Sequence, residues 1–163
     1  MSDAGSQHRI CHIELDEKSI IRRNADIDHE RRVAIFDLLE KNHYEPVEDL
    51  PGQYQGPFKV RLRMEDNRLA MIVRTEADQE LTTILLPLSI LRKTIKEYFQ
   101  ICDSYFAAIK SASPRQIETI DMARRSLHNE GSEILLDRLA EKVKIDFHTA
   151  RRLFTLICVL QIR

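Results

Sequence analysis

The sequence predicts an α+β fold: a small antiparallel sheet of three to four strands covered by helices, followed by an all-helical C-terminal half. Three observations predict it. Phe58, Val60, Leu62 and Met64 alternate with Lys59, Arg61 and Arg63, the period of a strand with one buried face. Leu91, Ile95, Tyr98, Cys102, Tyr105 and Ile109 recur at steps of four and three, the period of a helix with one apolar stripe. After Lys110 the apolar residues keep the helical spacing to the end of the chain.

Taken in order, residues 1–9 are polar and read as a frayed end. Cys11, Ile13 and Leu15 alternate with His12 and Glu14 and predict a first strand. Arg22–Asp28 is turn-like, with Asp26 placed to cap a helix that runs to about Lys41 and buries Val33, Ile35, Phe36, Leu38 and Leu39. Pro46, Pro51, Gly52, Gly56 and Pro57 then punctuate a long loop inside the domain. Short polar turns at 65–68 and 76–79 separate the strand at 58–64 from strands at 69–74 and 81–86, which makes an antiparallel meander with the Cys11 strand at an edge. The helix over Ser89–Lys110 joins the halves and packs over the apolar face of the sheet. Ser113, Pro114 and Gln116 form a helix start with a capping box. Gly131 reads as the end of that helix, and Ser132 as the cap of the next. Asp146 caps a last helix over about Phe147–Gln161. The whole, 1–163, reads as a single domain: 10–86 mainly sheet plus one helix, 87–163 helical.

At 163 residues, 43% hydrophobic and 31% charged, with four glycines and five prolines, the chain has a globular composition, not a disordered or fibrous one. The formal net charge of −1 provides no whole-chain field for nucleic acid or acidic membrane. Residues 1–86 carry 12 basic and 17 acidic side chains, whereas residues 87–163 carry 13 and 9, so the second half is basic and the first acidic. Cys11, Cys102 and Cys158 are sparse and odd in number, which points to free thiols in a reducing compartment. With no signal-peptide pattern and no apolar run near the length of a membrane span, the cytoplasm is the expected location.

No phosphate loop, dinucleotide fingerprint or nucleophile elbow is present, and His8, Cys11 and His12 have no second ligand pair nearby, so nothing points to a cofactor or metal and the chain leans away from an enzyme. Three surfaces remain. The first is the apolar C-terminal helix, where Leu156, Val159 and Leu160 would complete a homodimer or receive a protein partner; on this reading the chain is a non-catalytic macromolecular binding or regulatory module. The second is a degenerate helix-turn-helix over 132–160, with His148, Arg151 and Arg152 as nucleic-acid readers; Lys144 stands where glycine usually turns the motif. The basic alternation Lys59, Arg61, Arg63, with Arg68 and Arg74 beside it, offers a related anion- or RNA-binding face. The third is a small-enzyme or ligand site near His128–Glu133, with His128 and Glu130 as acid–base candidates, or beneath the loop Glu45–Pro57.

The stretches HERRVAIFDLLEKN, KEYFQICDSYFAAIKSASPRQIETIDMARRSLHNEGSEILLDRLAEKV and DFHTARRLFTLICVL resemble a family of small bacterial proteins, the uncharacterised protein family (UPF) number 0262. The resemblance spans nearly the whole chain and is densest over Lys96–Leu160. It implies a bacterial origin and a chain complete in itself. It brings no activity, cofactor or catalytic residue, so function rests on the residues.

Overall fold

The computed structural model describes residues 7–16 and 25–161. Strand β1 (Ile10–Leu15) and helix α1 (Ala25–Glu40) are followed by the short strand β2 (Tyr44–Pro46), then by β3 (Phe58–Glu65), β4 (Arg68–Arg74) and β5 (Glu80–Pro87). Helices α2 (Arg92–Ser111) and α3 (Pro114–Leu139), strand β6 (Val143–Ile145) and helix α4 (Phe147–Gln161) complete the order. Strands β3, β4 and β5 form the antiparallel meander, in the order β1-β3-β4-β5. The edge strand β1 runs parallel to β3, so the sheet is mixed. The direction follows from the connection: the chain leaves β1, passes through α1 and β2, and re-enters the sheet from the same end.

Simple alternation expects Cys11, Ile13 and Leu15 on the core face of β1. The register slips between Ile10 and His12, whose partners are Phe58 and Lys59, and this irregularity leaves Cys11 out of step. The core therefore takes Ile10 and Ile13, while Cys11 is only half-buried. On the neighbouring strands Phe58, Val60 and Leu62 fill the same face, with Leu69, Met71, Val73, Ile84 and Leu86.

The innermost helix is α4, not α2. It packs against α1, α3 and β3, and Leu153, Phe154 and Leu156–Leu160 are all buried. The helix α2 packs chiefly on α3. Its stripe is buried at Leu91, Ile95, Tyr98 and Cys102 but runs out at Ile109, which is 49% exposed. Helix α1 likewise buries less than its composition suggests. Ala34 and Leu38 enter the core, while Val33 and Phe36 are exposed. Within the segment read as a loop, Tyr44 is fully buried, and β2 pairs antiparallel with β6. That ladder ties the first third of the chain to the entry of α4. His43 reinforces it by donating its backbone N–H to Thr149 Oγ1 at 3.0 Å.

The caps follow the sequence in two places. Ser113 and Gln116 form the capping box of α3, with bonds of 3.3 and 3.1 Å, and Asp146 accepts the Thr149 N–H at 2.8 Å. Asp26 lies in the first turn of α1 and not at its cap. Gly131 does not end a helix. Helix α3 runs through it, and Ser132 donates its hydroxyl back to the His128 carbonyl at 2.7 Å. The glycine is there for packing: a Cβ at this position would lie inside the van der Waals envelope of the Phe154 ring. Alanine in a helix interior is ordinarily favoured over glycine by about 1 kcal/mol. Here the overpacking cost of about 1–3 kcal/mol outweighs that gain. Gly131→Ala is expected to lower the urea midpoint without changing the slope; an unchanged or raised midpoint would show that the α3–α4 contact is looser than described.

Candidate functional site

Helices α1 and α3 both pack on α4, and where they diverge they leave a cleft of about 310 Å³. Its α1 wall is His29, Glu30, Val33 and Ala34; its opposite walls are Arg124, Arg125 and His128 from α3 and Arg151, Arg152 and Thr155 from α4, with Tyr98 from α2. Helical spacing places these groups. Arg124 and His128 are one turn apart on α3, and Arg151 and Thr155 one turn apart on α4. The two helices are joined by the contact between His128 Nε2 and Thr155 Oγ1 at 2.7 Å.

The electrostatics are uneven. Asp121 holds two of the arginines: its Oδ1 lies 2.6 Å from Arg124 Nη2, and its Oδ2 lies 3.2 Å from Arg125 Nε. The Arg124 guanidinium also stacks over the Tyr105 ring at 4.5 Å. Arg152 Nη2 lies 3.7 Å from Asp37. Arg151 has no carboxylate within ion-pair distance among the described residues, and its Nε is buried without a hydrogen-bond partner. Glu30, half-buried on the facing wall, makes no hydrogen bond or ion pair among the described residues; burial raises its carboxyl above the ordinary carboxylate range. The charge nearest to it in effect is Arg124, which pulls the carboxyl down against burial, so Glu30 is a half-buried carboxylate held, among the described residues, without a contact partner in a site of arginines.

His128 is 8% exposed, with its ring edge-on to Tyr98 and Phe154 at centroid distances of 5.4 and 5.2 Å. The Thr155 hydroxyl donates to the Arg151 carbonyl at 3.2 Å, and His128 Nδ1 is buried without a partner. Burial, and then Arg151, Arg152 and Arg124, push the imidazole down to about 4. The ring is therefore neutral at physiological pH. Burial lifts the Cys102 thiol to about 11 and the Cys158 thiol well above its usual range, so neither is a ready nucleophile.

A family model, the Uncharacterised protein family (UPF0262), matches residues 7–163. The chain belongs to this family. The UPF0262 protein of the bacterium Erythrobacter litoralis is 55% identical over 158 residues, covering 97% of this chain and 99% of its own length. Those of Sphingopyxis alaskensis and Paramagnetospirillum magneticum are 54% and 52% identical, over 100% and 96% of this chain and 99% and 98% of their own. No solved structure matches. No helix among the described residues is long and apolar enough to cross a membrane.

Within this UPF0262 chain, the cleft gathers residues that the sequence placed in separate candidates. His128 lines it, and so do the half-buried Arg151 and Arg152. His148 is exposed and outside the cleft. Glu130 is also exposed and outside it, because residues two apart on a helix face opposite sides; the carboxylate in the cleft is Glu30. The tight turn expected of a helix-turn-helix is occupied by β6, whose residues Val143–Ile145 pair with β2. In the would-be recognition helix α4, Thr149, Ala150, Leu153, Phe154 and Leu156–Leu160 are buried, while His148 is exposed and Arg151 and Arg152 are half-buried. Leu156, Val159 and Leu160 are 0%, 3% and 4% exposed, covered by the chain's own core.

Four of the five basic residues on the sheet are paired, while Arg68 is exposed. Lys59 pairs with Asp78 at 3.2 Å, Arg61 with Asp16 at 3.5 Å, Arg63 with Glu65 at 2.5 Å and Arg74 with Glu80 at 3.6 Å. Beneath the 45–57 loop lies a second cavity of about 380 Å³, lined by His8, Glu45, Glu48, Asp49 and Tyr54 among others. No group of three His, Cys, Asp or Glu is placed to hold a metal among the described residues. Glu30, His29 and Tyr98 were missed as site residues. A signal existed: Ala-Arg-Arg occurs at 123–125 and again at 150–152, on two helices that pack together.

The depressed value of His128 sets a sign. Between about 6.5 and 4 the unfolded chain binds a proton that the folded chain does not, so stability falls as pH drops through that window. The full difference corresponds to about 3 kcal/mol. In denaturant titrations the stability of wild type relative to His128→Gln should fall by about this amount from pH 7 to pH 4. A flat difference would mean that His128 titrates normally. Leu156→Asp should abolish the cooperative transition by burying an unpaired charge at a cost of several kcal/mol. A folded variant with an altered oligomeric state would instead reveal an exposed helix face.

Proposed function

We propose that this protein binds a small ligand through an anionic group, a carboxylate or phosphate, held in the cleft between α1, α3 and α4. The observation that carries the reading is the convergence of four arginines, from two packed helices, on one concave site. Guanidinium groups recognise carboxylate and phosphate in a planar, two-pronged geometry, and a partly dry site strengthens each contact. Three of the four are held by carboxylates or an aromatic ring before any ligand arrives, which lowers the ordering cost of binding. The volume suits a small molecule, at the lower end of the usual range for ligand pockets.

The reading is of a binding or regulatory protein rather than a catalyst. A neutral His128 fixed by Thr155, and thiols held protonated, favour a rigid floor over proton transfer. The site of action we assign is the cytoplasm, where three free thiols stay reduced. Partners enter through the ligand on this reading, and the burial of Leu156, Val159 and Leu160 weighs against a dimer made through α4.

Calorimetric titration with inorganic phosphate and with short carboxylates, at low and moderate salt, tests this. Binding should weaken with salt, and Arg151→Gln should weaken it by about tenfold or more. An absence of any anion or carboxylate ligand at millimolar concentration would overturn the reading.

A further inference from the structure

The cleft presents two charges of opposite sign, Arg151 and Glu30, neither with an ion-pair contact among the described residues, although Glu30 feels Arg124 at longer range. Arg151 of α4 has no carboxylate partner, while Asp121 and Asp37 serve the other three arginines. Glu30 of α1 lines the same space, yet it is not within ion-pair distance of any of the four. Two such groups would ordinarily collapse onto one another, since a paired charge in a partly buried site is far better placed than a lone one. Here the helices hold them apart, and the gap between them is the cleft itself.

A plain anion answers only half of this arrangement. It satisfies Arg151 but sits opposite a like-charged carboxylate. A plain cation meets Glu30 and faces four arginines. A ligand with both charges, a few ångströms apart, pairs with each wall. Beyond the charged groups the α1 wall is apolar: Ala34 is buried, and Val33 is 42% exposed. A side chain attached beside the two charges would lie along it. Tyr98 and the neutral His128 ring supply the remaining lining.

We propose that the ligand is zwitterionic, an α-amino acid whose carboxylate is held by Arg151 with the neighbouring arginines and whose ammonium is held by Glu30. This rests on the anion-binding reading above and adds the second charge. The unpaired Glu30 becomes the residue that separates an amino acid from any simple carboxylate. The residue works by opposing charge: it repels an acid lacking the ammonium and attracts one that carries it.

The test is a thermal-shift screen of wild type against each proteinogenic L-amino acid, followed by calorimetry on any that stabilise. Each such amino acid is compared with the acid that lacks its amino group, and inorganic phosphate is run in parallel. At least one amino acid should bind about tenfold or more tightly than its deaminated acid. Glu30→Gln should weaken amino-acid binding by a similar factor while leaving phosphate and the deaminated acid unchanged or tighter, because the repulsion is gone. Arg151→Gln should weaken all of them. The comparison of ligands needs no variant, so it stands even if a substitution disturbs the fold.

Deaminated acids that bind as well as their amino acids would overturn the zwitterion, as would a Glu30→Gln variant that binds amino acids undiminished; the anion site would survive both results. Failure of amino acids, acids and phosphate alike to bind wild type would overturn the anion site and this inference with it.

Discussion

The packing of Phe154 against Gly131 sets how closely α3 approaches α4, and the rest of the molecule is built around that approach. One helical turn before Gly131 lies His128, and one residue after Phe154 lies Thr155; their contact exists only because the backbones are near. A further turn back on each helix stand Arg124 and Arg151, so a single close contact aligns an entire row of side chains. The same helix α4 must also be enclosed, since Leu153–Leu160, about two turns, is apolar except for Thr155. Enclosure draws α1 and the sheet onto it. The cleft is the place where this enclosure stops, at the end of α4 that carries its arginines.

Buried and half-buried charges in such a place have to be managed. Asp121 holds two guanidiniums at once, and Asp37 reaches Arg152 from α1. These pairs are partly exposed, and each adds little to stability by itself. Their effect is on geometry: they limit where the arginine heads can go. The neutral state of His128 belongs to the same pattern. A positive ring among arginines would be expelled, and the low value keeps it seated.

Much of the fold was legible in local chemistry. The alternation over 58–64, the capping box at Ser113 and the cap at Asp146 each depend on a few adjacent residues, and each appears in the structure. What was not legible depended on contacts between distant segments. The pairing of β2 with β6 cannot be read from three residues on either side, and the irregularity at Cys11 cannot be read from an alternating string. Gly131 was misread because a glycine needed for close packing and a glycine needed for a left-handed turn look alike in sequence. The site failed for a related reason. His128, Arg151 and Arg152 were each visible, but assembly required knowing that α1 lies across α4. Glu130 lies near His128 in sequence but the helix turns it away, and the carboxylate in the cleft, Glu30, comes from α1.

The central position of α4 has a consequence for how the protein is made. Ribosomes deliver the chain from its N-terminus, so the helix that fills the core arrives after every element it touches. Until then the side of α3 that meets α4, and the part of the sheet's apolar face that α4 covers, lack that cover. The nascent chain carries that uncovered surface until α4 is made. Sheet edges and apolar faces left open in this way invite association with other chains. The cell bears that risk during translation, and the arrival of α4 ends it by closing the core and shaping the cleft in one step.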